Sequence, residues 1–269
     1  MVAILTARHV TKVYDAGSSG LVVAVQDLSL DIEEGEFVCL LGASGCGKST
    51  MLSLFAGFIQ PTSGEVALRD VAITGIEPRC GVVFQSYALF PWRTVRGNVE
   101  FGLKMQGVGR GARRARAQEF IDLVKLTGFE DRYPTELSGG MQQRVTLARI
   151  LAASPEVLLM DEPFAALDAM TRQVMQEELL RIHAGNHKTT VFITHSLDEA
   201  LILSDRIVVM SARPGRIKAV VTNPLSRPRH VAMQITPDYL ALKASLWQLV
   251  EAELAHQDET SQLVPSPAD

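Results

Sequence analysis

Five short apolar runs set the rhythm of the chain. Phe37-Val38-Cys39-Leu40-Leu41, Gly81-Val82-Val83-Phe84-Gln85, Val157-Leu158-Leu159-Met160, Thr190-Val191-Phe192-Ile193 and Ile207-Val208-Val209-Met210 each read as a strand. The runs at 81–85 and 157–160 are near-continuous, as expected of strands buried in a parallel sheet. Helical patterns fall between them. Residues 51–55 read as a helix ending near Gly57, residues 197–203 as another, and residues 171–182 carry Met175, Leu179 and Ile182 at i, i+4 and i+7. Strands alternating with helices predict an α/β architecture. Ahead of the first run the chain is β-rich: residues 5–14, 22–25 and 28–32 read as strands, with turns at 15–20, 33–36 and 61–64. From residue 89 to 151 the pattern is helical throughout, so about 89–150 is expected to be a helical insertion between two sheet strands. Within it residues 112–117 form a basic face, and Phe120, Leu123, Val124 and Leu126 an apolar one. A solvated face is expected of those arginines in preference to an anion site. Near the end, Thr236-Pro237 reads as an N-cap with proline at the first helical position. Leu242, Leu246, Leu249 and Val250 then share one helix face, and the polar stretch past Gln257, with Pro265 and Pro267, is expected to be disordered. The expected boundaries are 1–232 for the main domain and 233–269 for a C-terminal helical extension and tail.

Composition narrows the classes. A chain of 269 residues is long enough for one large or two small domains with a real core. Its net charge of −4 argues against a dedicated nucleic-acid binder. Cys39, Cys46 and Cys80 form neither a C-x-x-C pair nor an even framework, so metal and disulfide readings are weak and reduced thiols are the default. No apolar run approaches the ~20 residues of a membrane span. Met1-Val2-Ala3-Ile4-Leu5 lacks the charged start and long apolar core of a secretory signal. The chain is expected in the cytosol, serving a membrane only through a partner.

Three stretches carry candidate chemistry. Gly42-Ala43-Ser44-Gly45-Cys46-Gly47-Lys48-Ser49-Thr50 lies between a strand and a helix, the context of a phosphate-binding P-loop. Its glycines let successive N–H groups turn toward one anion, and the helix N-terminus adds unpaired donors and its dipole. Lys48 is the candidate for the β- and γ-phosphates of a nucleoside triphosphate such as ATP, and the Ser49 hydroxyl for Mg²⁺. Asp161-Glu162 closes the apolar run at 157–160, and there Asp161 suits Mg²⁺ and Glu162 suits a general base for the attacking water. Leu137-Ser138-Gly139-Gly140-Met141-Gln142-Gln143-Arg144 opens a helical pattern, making a second candidate anion-binding helix start.

Taken in order, Gly42 to Ser49, Gln85, Leu137 to Arg144, Leu159-Met160-Asp161-Glu162-Pro163, Ala166-Leu167-Asp168 and His195 resemble the ATP-binding cassette family over about residues 4–215. The resemblance implies a P-loop NTPase core with a mainly parallel sheet, an N-terminal antiparallel β-subdomain and an inserted α-helical subdomain. It implies a head-to-tail homodimer in which Ser138, Gly139, Gly140 and Gln142 of one subunit close over ATP held by Lys48 of the other. It also implies that Tyr14 stacks on adenine, Gln85 senses Mg²⁺ and the attacking water, Asp168 communicates across the dimer, and His195 contacts the γ-phosphate. Other readings stand beside these: Tyr14 as a core-packed strand aromatic, Gln85 as a buried strand-end amide, and Asp168 as a helix cap. Cys46 reads as a small residue tolerated in the loop, its thiol a candidate for modification. Ala165 departs from the glycine or serine common at its place, without touching the chemistry.

Repair and chromosome cassettes carry long coiled coils or zinc modules between P-loop and signature, translation forms carry two cassettes, and fused exporters carry membrane helices. None of these is visible here, which leaves the separate ATPase subunit of an importer. Phe55-Ala56-Gly57-Phe58, Pro91-Trp92, Asn98-Val99 and Arg213-Pro214-Gly215-Arg216 resemble the nitrate, sulfonate and taurine importers, with taurine or another sulfonate favoured over nitrate or a pyrimidine precursor. Such a subunit implies two transmembrane permease partners, a periplasmic or extracellular solute-binding protein, no nucleic acid, and a peripheral place on the cytoplasmic face of the inner membrane. Residues 87–96, with Phe90 and Trp92, are either a docking surface for the permease or core of the helical insertion. The rivals are a soluble cassette ATPase acting on nucleic acid or a protein complex and, less well matched to the Ser138 signature, a P-loop kinase.

Overall fold

A computed structural model describes residues 3–15, 17, 20–186, 188–211 and 213–262. In chain order the strands are β1 (Ala3–Asp15), β2 (Leu21–Glu33), β3 (Phe37–Leu41), β4 (Ser63–Leu68), β5 (Val71–Ala72), β6 (Cys80–Val83), β7 (Val157–Asp161), β8 (Thr189–Thr194), β9 (Arg206–Met210) and β10 (Ile217–Thr222). The helices are α1 (Lys48–Phe55), α2 (Val95–Met105), α3 (Arg110–Leu123), α4 (Gly139–Ala152), α5 (Ala169–Asn186), α6 (Leu197–Leu203) and α7 (Pro237–Gln262). The chain divides into two compact units, Met1–Glu77 with Val191–Asp269, and Pro78–Thr190.

The first unit holds an antiparallel sheet in the order β2-β1-β4-β5. Residues 22–25 and 28–32, expected as two strands, are one continuous strand, β2. The chain absorbs the break by placing Asp27 at φ 47° and donating its N–H to Thr11 Oγ1 (3.0 Å), so the ladder shifts register instead of ending. Of the expected 15–20 turn, residues 16, 18 and 19 lie outside the described residues. The unit's other strands run β10-β9-β3-β8, with β3 parallel to β9 and β10 antiparallel at the edge. All five residues of β3 are buried, and Phe37 packs against Phe192 of β8 at 5.9 Å between ring centroids. The helix expected at 51–55 already begins at Lys48. It ends in a Schellman motif, in which Gly57 (φ 71°) donates to the Leu54 carbonyl (3.0 Å) and Phe58 to the Ser53 carbonyl (2.9 Å). A Cβ on Gly57 would fall 1.8 Å from the Gly75 oxygen, so the turn admits only glycine.

α7 belongs to this first unit. It starts at Pro237 as expected, but the Thr236 hydroxyl donates backward to the Met233 carbonyl (2.7 Å). Fully buried Tyr239 donates to Asp198 Oδ1 of α6 (2.7 Å), and Lys243 donates to Asp198 Oδ2 (2.9 Å). Leu246 is buried on the same face, with Leu242, Leu249 and Val250 half-buried. The helix runs on to Gln262, so the expected loss of structure past Gln257 is corrected for 258–262; residues 263–269 lie outside the described residues.

In the second unit β6 pairs in parallel with β7. β6 ends at Val83 and is mostly half-buried, in contrast to the expected buried strand at 81–85, because it has a ladder partner on one side only. Helix begins at Val95 and not at residue 89; residues 84–94 are irregular. α2, α3 and α4 enclose a core that includes Val99, Leu103, Ile121, Leu137, Val145 and Ala148. The basic stretch on α3 is only partly a solvated face. Arg113 pairs with Glu100 of α2 (3.1 Å), and Arg116 donates to the Ala152 carbonyl at the end of α4 (2.8 Å). Among the described residues, no helix is long and apolar enough to cross a membrane.

Candidate nucleotide site

The first unit carries the phosphate loop. β3 delivers it and α1 receives it, with Gly47 at φ 94° as the helix cap and no side chain there to occupy the first-turn N–H groups. These donors and the helix dipole are what an anion needs. The loop is closely backed. A Cβ on Gly47 would lie 2.7 Å from the Ala24 oxygen, and one on Gly42 would lie 2.8 Å from Cys46 Sγ and 3.0 Å from the Met210 oxygen. Lys48 is buried and donates to the carbonyls of Gly42 and Ala43, both at 2.7 Å, which holds its ammonium inside the loop's curve. Ser44, Gly45 and Ser49 are exposed, and Ala43 and Thr50 half-buried. Cys46 is fully buried, which corrects its reading as a modifiable thiol: a reagent has no path to it in this fold.

Two further candidates lie in the first unit. His195 follows the last residue of β8 and is exposed. Its turn is tightly held: Thr194 Oγ1 donates to buried Glu199 and accepts from the Ser196 N–H (3.0 Å), and Ser196 Oγ caps α6 through the Glu199 N–H (3.3 Å). Tyr14, on β1 opposite Val22, is 39% exposed with Lys12 Nζ 5.3 Å from its ring centroid. The core-packed reading of Tyr14 therefore fails.

The second unit carries the rest. Asp161 is the last residue of β7, and Glu162 directly follows with φ 44°. That left-handed backbone is uncommon for a residue with a side chain. Asp168 is exposed, and its Oδ1 accepts from the Thr171 N–H (2.9 Å) at the start of α5, so the helix-cap reading holds. Hydrogen bonds from the Thr171 side chain and backbone hold its carboxyl below the usual range.

Ser138 caps α4, its hydroxyl oxygen accepting from the Met141 N–H (3.3 Å). Gly139 and Gly140 form the first turn behind it, and a Cβ on Gly139 would lie 2.6 Å from the Tyr87 hydroxyl. Gln142 turns back, its amide donating to the carbonyls of Pro134 (3.1 Å) and Leu137 (3.2 Å), so it shapes the loop ahead of the helix. Arg144 does the same from the other side through the Val124 and Lys125 carbonyls, both at 3.3 Å.

Gln85 lies in a bend beyond β6 and is exposed, so the buried strand-end reading fails. The segment after it is pinned to α4, where Thr146 Oγ1 donates to the Tyr87 carbonyl (2.8 Å) and Arg149 to the Ala88 carbonyl (2.8 Å). The two readings of 87–96 divide between its aromatics. Phe90 packs on Phe101 (4.6 Å between centroids) under the guanidinium groups of Arg93 and Arg149, whereas Trp92 is 71% exposed. Sequence reasoning missed the hub of this segment. Asn98, fully buried, accepts from the Phe90 N–H (2.9 Å) and donates to the carbonyls of Phe90, Arg93 and Thr94 at 3.0–3.2 Å. A polar residue amid the apolar positions of α2 was the available signal.

Comparison with known proteins gives a consistent answer. Residues 25–165 match the family model described as ABC transporter. The chain is 53% identical over 215 residues to a taurine import ATP-binding protein of Burkholderia pseudomallei, covering 80% of this chain and 82% of that one. It is 51% identical over 225 residues to an uncharacterized ABC transporter ATP-binding protein of Methanocaldococcus jannaschii, covering 84% of each. Among solved structures it is similar to a dimeric ATP-binding cassette in a post-hydrolysis state bound to ADP and phosphate, with TM-score 0.74 and 33% identity over 83% of this chain and all of that one. The chain belongs to the ABC transporter family, as one of its ATP-hydrolysing cassettes.

Proposed function

We propose that this cassette powers an importer for taurine or a related sulfonate, working as a homodimer beneath two transmembrane permease subunits at the cytoplasmic face of the inner membrane, with a solute-binding protein outside. The observation that carries the reading is that one chain presents two glycine-rich helix starts, α1 behind Gly47 and α4 behind Ser138. A single phosphate cradle needs only the first. The second suits a γ-phosphate approached from another subunit, which makes ATP the adhesive of a head-to-tail dimer. The taurine assignment is supported by the Burkholderia relative and by the Pro91-Trp92 and Arg213-Pro214-Gly215-Arg216 stretches.

Parts of the proposed machinery fall in each unit. In the first, Lys48 and the loop N–H groups hold the phosphates, Tyr14 offers its exposed face to the adenine, and His195 meets the γ-phosphate. In the second, Glu162 takes the proton of the attacking water and Gln85 orients that water. Ser49, Asp161 and Gln85 supply hydroxyl, carboxylate and amide oxygens, a hard donor set that fits Mg²⁺. When bound, Mg²⁺ would neutralise charge on the β- and γ-phosphate oxygens. Ser138, Gly139 and Gly140 close over the triphosphate from the partner subunit, with Gln142 holding the loop that presents them. Closure follows from the signature's differential affinity for the triphosphate over the diphosphate. Asp168, as cap of α5, transmits that closure, and exposed Trp92 is the candidate permease contact.

The test is uptake in a strain deleted for this chain, offered taurine, alkanesulfonates, nitrate and pyrimidine precursors, together with purification of the native complex. Loss of taurine or sulfonate uptake and recovery of a multispanning membrane protein support the proposal. Uptake of nitrate alone would replace the substrate, and recovery of nucleic acid or ribosomes would overturn the transport reading.

A further inference from the structure

Arg213-Pro214-Gly215-Arg216 enters the sequence reading only as a subfamily resemblance, and the nucleotide site described above gives it no task. In the first unit it is built against the phosphate loop. The Gly215 N–H donates to the Ala24 carbonyl (3.0 Å) and the Gly215 carbonyl accepts from the Gln26 N–H (2.9 Å), so the turn extends β2 by one bridge. A Cβ on Gly215 would lie 2.2 Å from the Cys46 oxygen and 2.9 Å from the Ala24 oxygen. The same Ala24 oxygen is the nearest neighbour of the Gly47 Cβ position, at 2.7 Å. The phosphate loop and the turn therefore meet on one carbonyl. Arg213 reaches over the loop, its Nε donating to the Gly45 carbonyl (3.3 Å) and its Nη2 lying 3.2 Å from where a Gly45 Cβ would be. The turn itself is locked. Ser211 Oγ donates to the Pro214 carbonyl (3.0 Å) and accepts from the Arg216 N–H (3.0 Å), while the Arg216 guanidinium donates to Gln26 Oε1 (2.6 Å).

We propose that this turn is a brace that sets the conformation of the phosphate loop, with Arg213 and Gly215 acting as positioning residues for nucleotide binding. The inference rests on the reading that residues 42–49 hold ATP. A loop whose N–H groups must converge on one phosphate loses conformational entropy on binding, unless other contacts have already removed that freedom. Arg213 removes it at Gly45 and Gly215 removes it at Cys46, the two residues whose peptide groups lie between Ser44 and the α1 cap. Arg213 also places a fixed positive charge beside the loop, which favours a polyanion before contact. Its partner is a carbonyl and its exposure leaves the rest of the guanidinium accessible, so the charge is not cancelled at that contact.

The test uses the full chain. ATP binding, steady-state ATPase and nucleotide-free thermal unfolding are measured for the wild type, Arg213→Gln, Arg213→Lys and Gly215→Ala. Arg213→Gln is expected to raise the Kd and KM for ATP about five- to tenfold with kcat within about twofold, the signature of lost uniform binding. Its nucleotide-free unfolding temperature should match the wild type, and Arg213→Lys, which keeps the charge, should recover most of the affinity. Gly215→Ala should lose ATP binding more severely, and where it fails to fold the Arg213 pair still decides. An unchanged KM in Arg213→Gln, or a loss of kcat that tracks a fall in unfolding temperature, would overturn the inference while leaving the ATP site standing. A wild-type chain that fails to bind ATP would overturn both.

Discussion

At the scale of single residues, Glu162 is one of the non-glycine residues held at positive φ. Its φ of 44° costs about 1 kcal/mol for an L residue, and the chain accepts that cost directly after Asp161. That backbone reversal is consistent with the separate tasks proposed for the two successive carboxylates. Replacing Glu162 by Gln should keep ATP binding and cut phosphate release by about 10²–10⁴, the usual worth of a general base. Near-normal turnover would remove Glu162 from that role. Glu162→Gly should be just as inactive yet unfold at a higher temperature than Glu162→Gln, because glycine relieves the backbone. Asp168 makes a pH-dependent case. Its carboxyl is held low by the Thr171 hydrogen bonds, so the stabilisation from its ionised form is complete above the ordinary carboxylate pKa of about 4. That stabilisation fades as pH falls through the lower folded-state value. Asp168→Asn keeps the cap acceptor without the charge. Its unfolding temperature should lag the wild type near neutrality and converge with it in acid; a gap that widens in acid would contradict the assignment.

At the scale of elements, α7 is held to α6 by a few named contacts. The Tyr239 phenol is buried against Asp198, which raises its pKa, burial being the largest cause and the Asp198 hydrogen bond the next. Tyr239→Phe removes that hydrogen bond and should destabilise the chain by about 1–2 kcal/mol, read as a shift in urea midpoint. Retention of the wild-type midpoint would mean that α7 is held by Leu246, its neighbours and the Lys243–Asp198 pair without that hydrogen bond. Tyr239 also shows where the sequence was hard to read. A tyrosine in a first turn that begins Thr-Pro-Asp looks like a polar helix start, and only the placement of α6 makes it core. β10 was missed for a related reason: Lys218 and Thr222 alternate with half-buried residues on an edge strand, which leaves a faint period. β3, β7, β8 and β9 were legible because each centres on an unbroken run of three or more buried apolar residues. The placement of the glycine-rich loop before α1, of Asp161 at a strand end and of Ser138 at a helix start was legible because such motifs hold particular residues at fixed spacing. The contacts of Asn98 and Arg213 were not legible, since each bonds backbone carbonyls whose positions no side-chain spacing encodes, and for Asn98 the only signal was a polar residue among apolar ones.

At the scale of the whole molecule, a composite site makes one prediction that no single subunit can satisfy. Lys48→Ala and Ser138→Arg should each abolish hydrolysis. Mixed in equal amounts, they should recover about a quarter of wild-type activity, because half the symmetric pairs are mixed and each mixed pair retains one intact site. A mixture as inactive as its components would show that the loop and the signature do not serve one site across two copies. The order of the chain adds a last consequence. β3 is complete at Leu41, yet its parallel neighbour β9 spans Arg206–Met210 and the Gly215 contact comes later still. At a ribosomal pace of about 5–20 residues per second, the nascent phosphate loop waits on the order of ten seconds or more for the strand and turn that shape it. If the proposed brace holds, a polypeptide released before Arg206 is expected to bind ATP more weakly than the finished chain, an outcome that ATP titration of a chain truncated there would check.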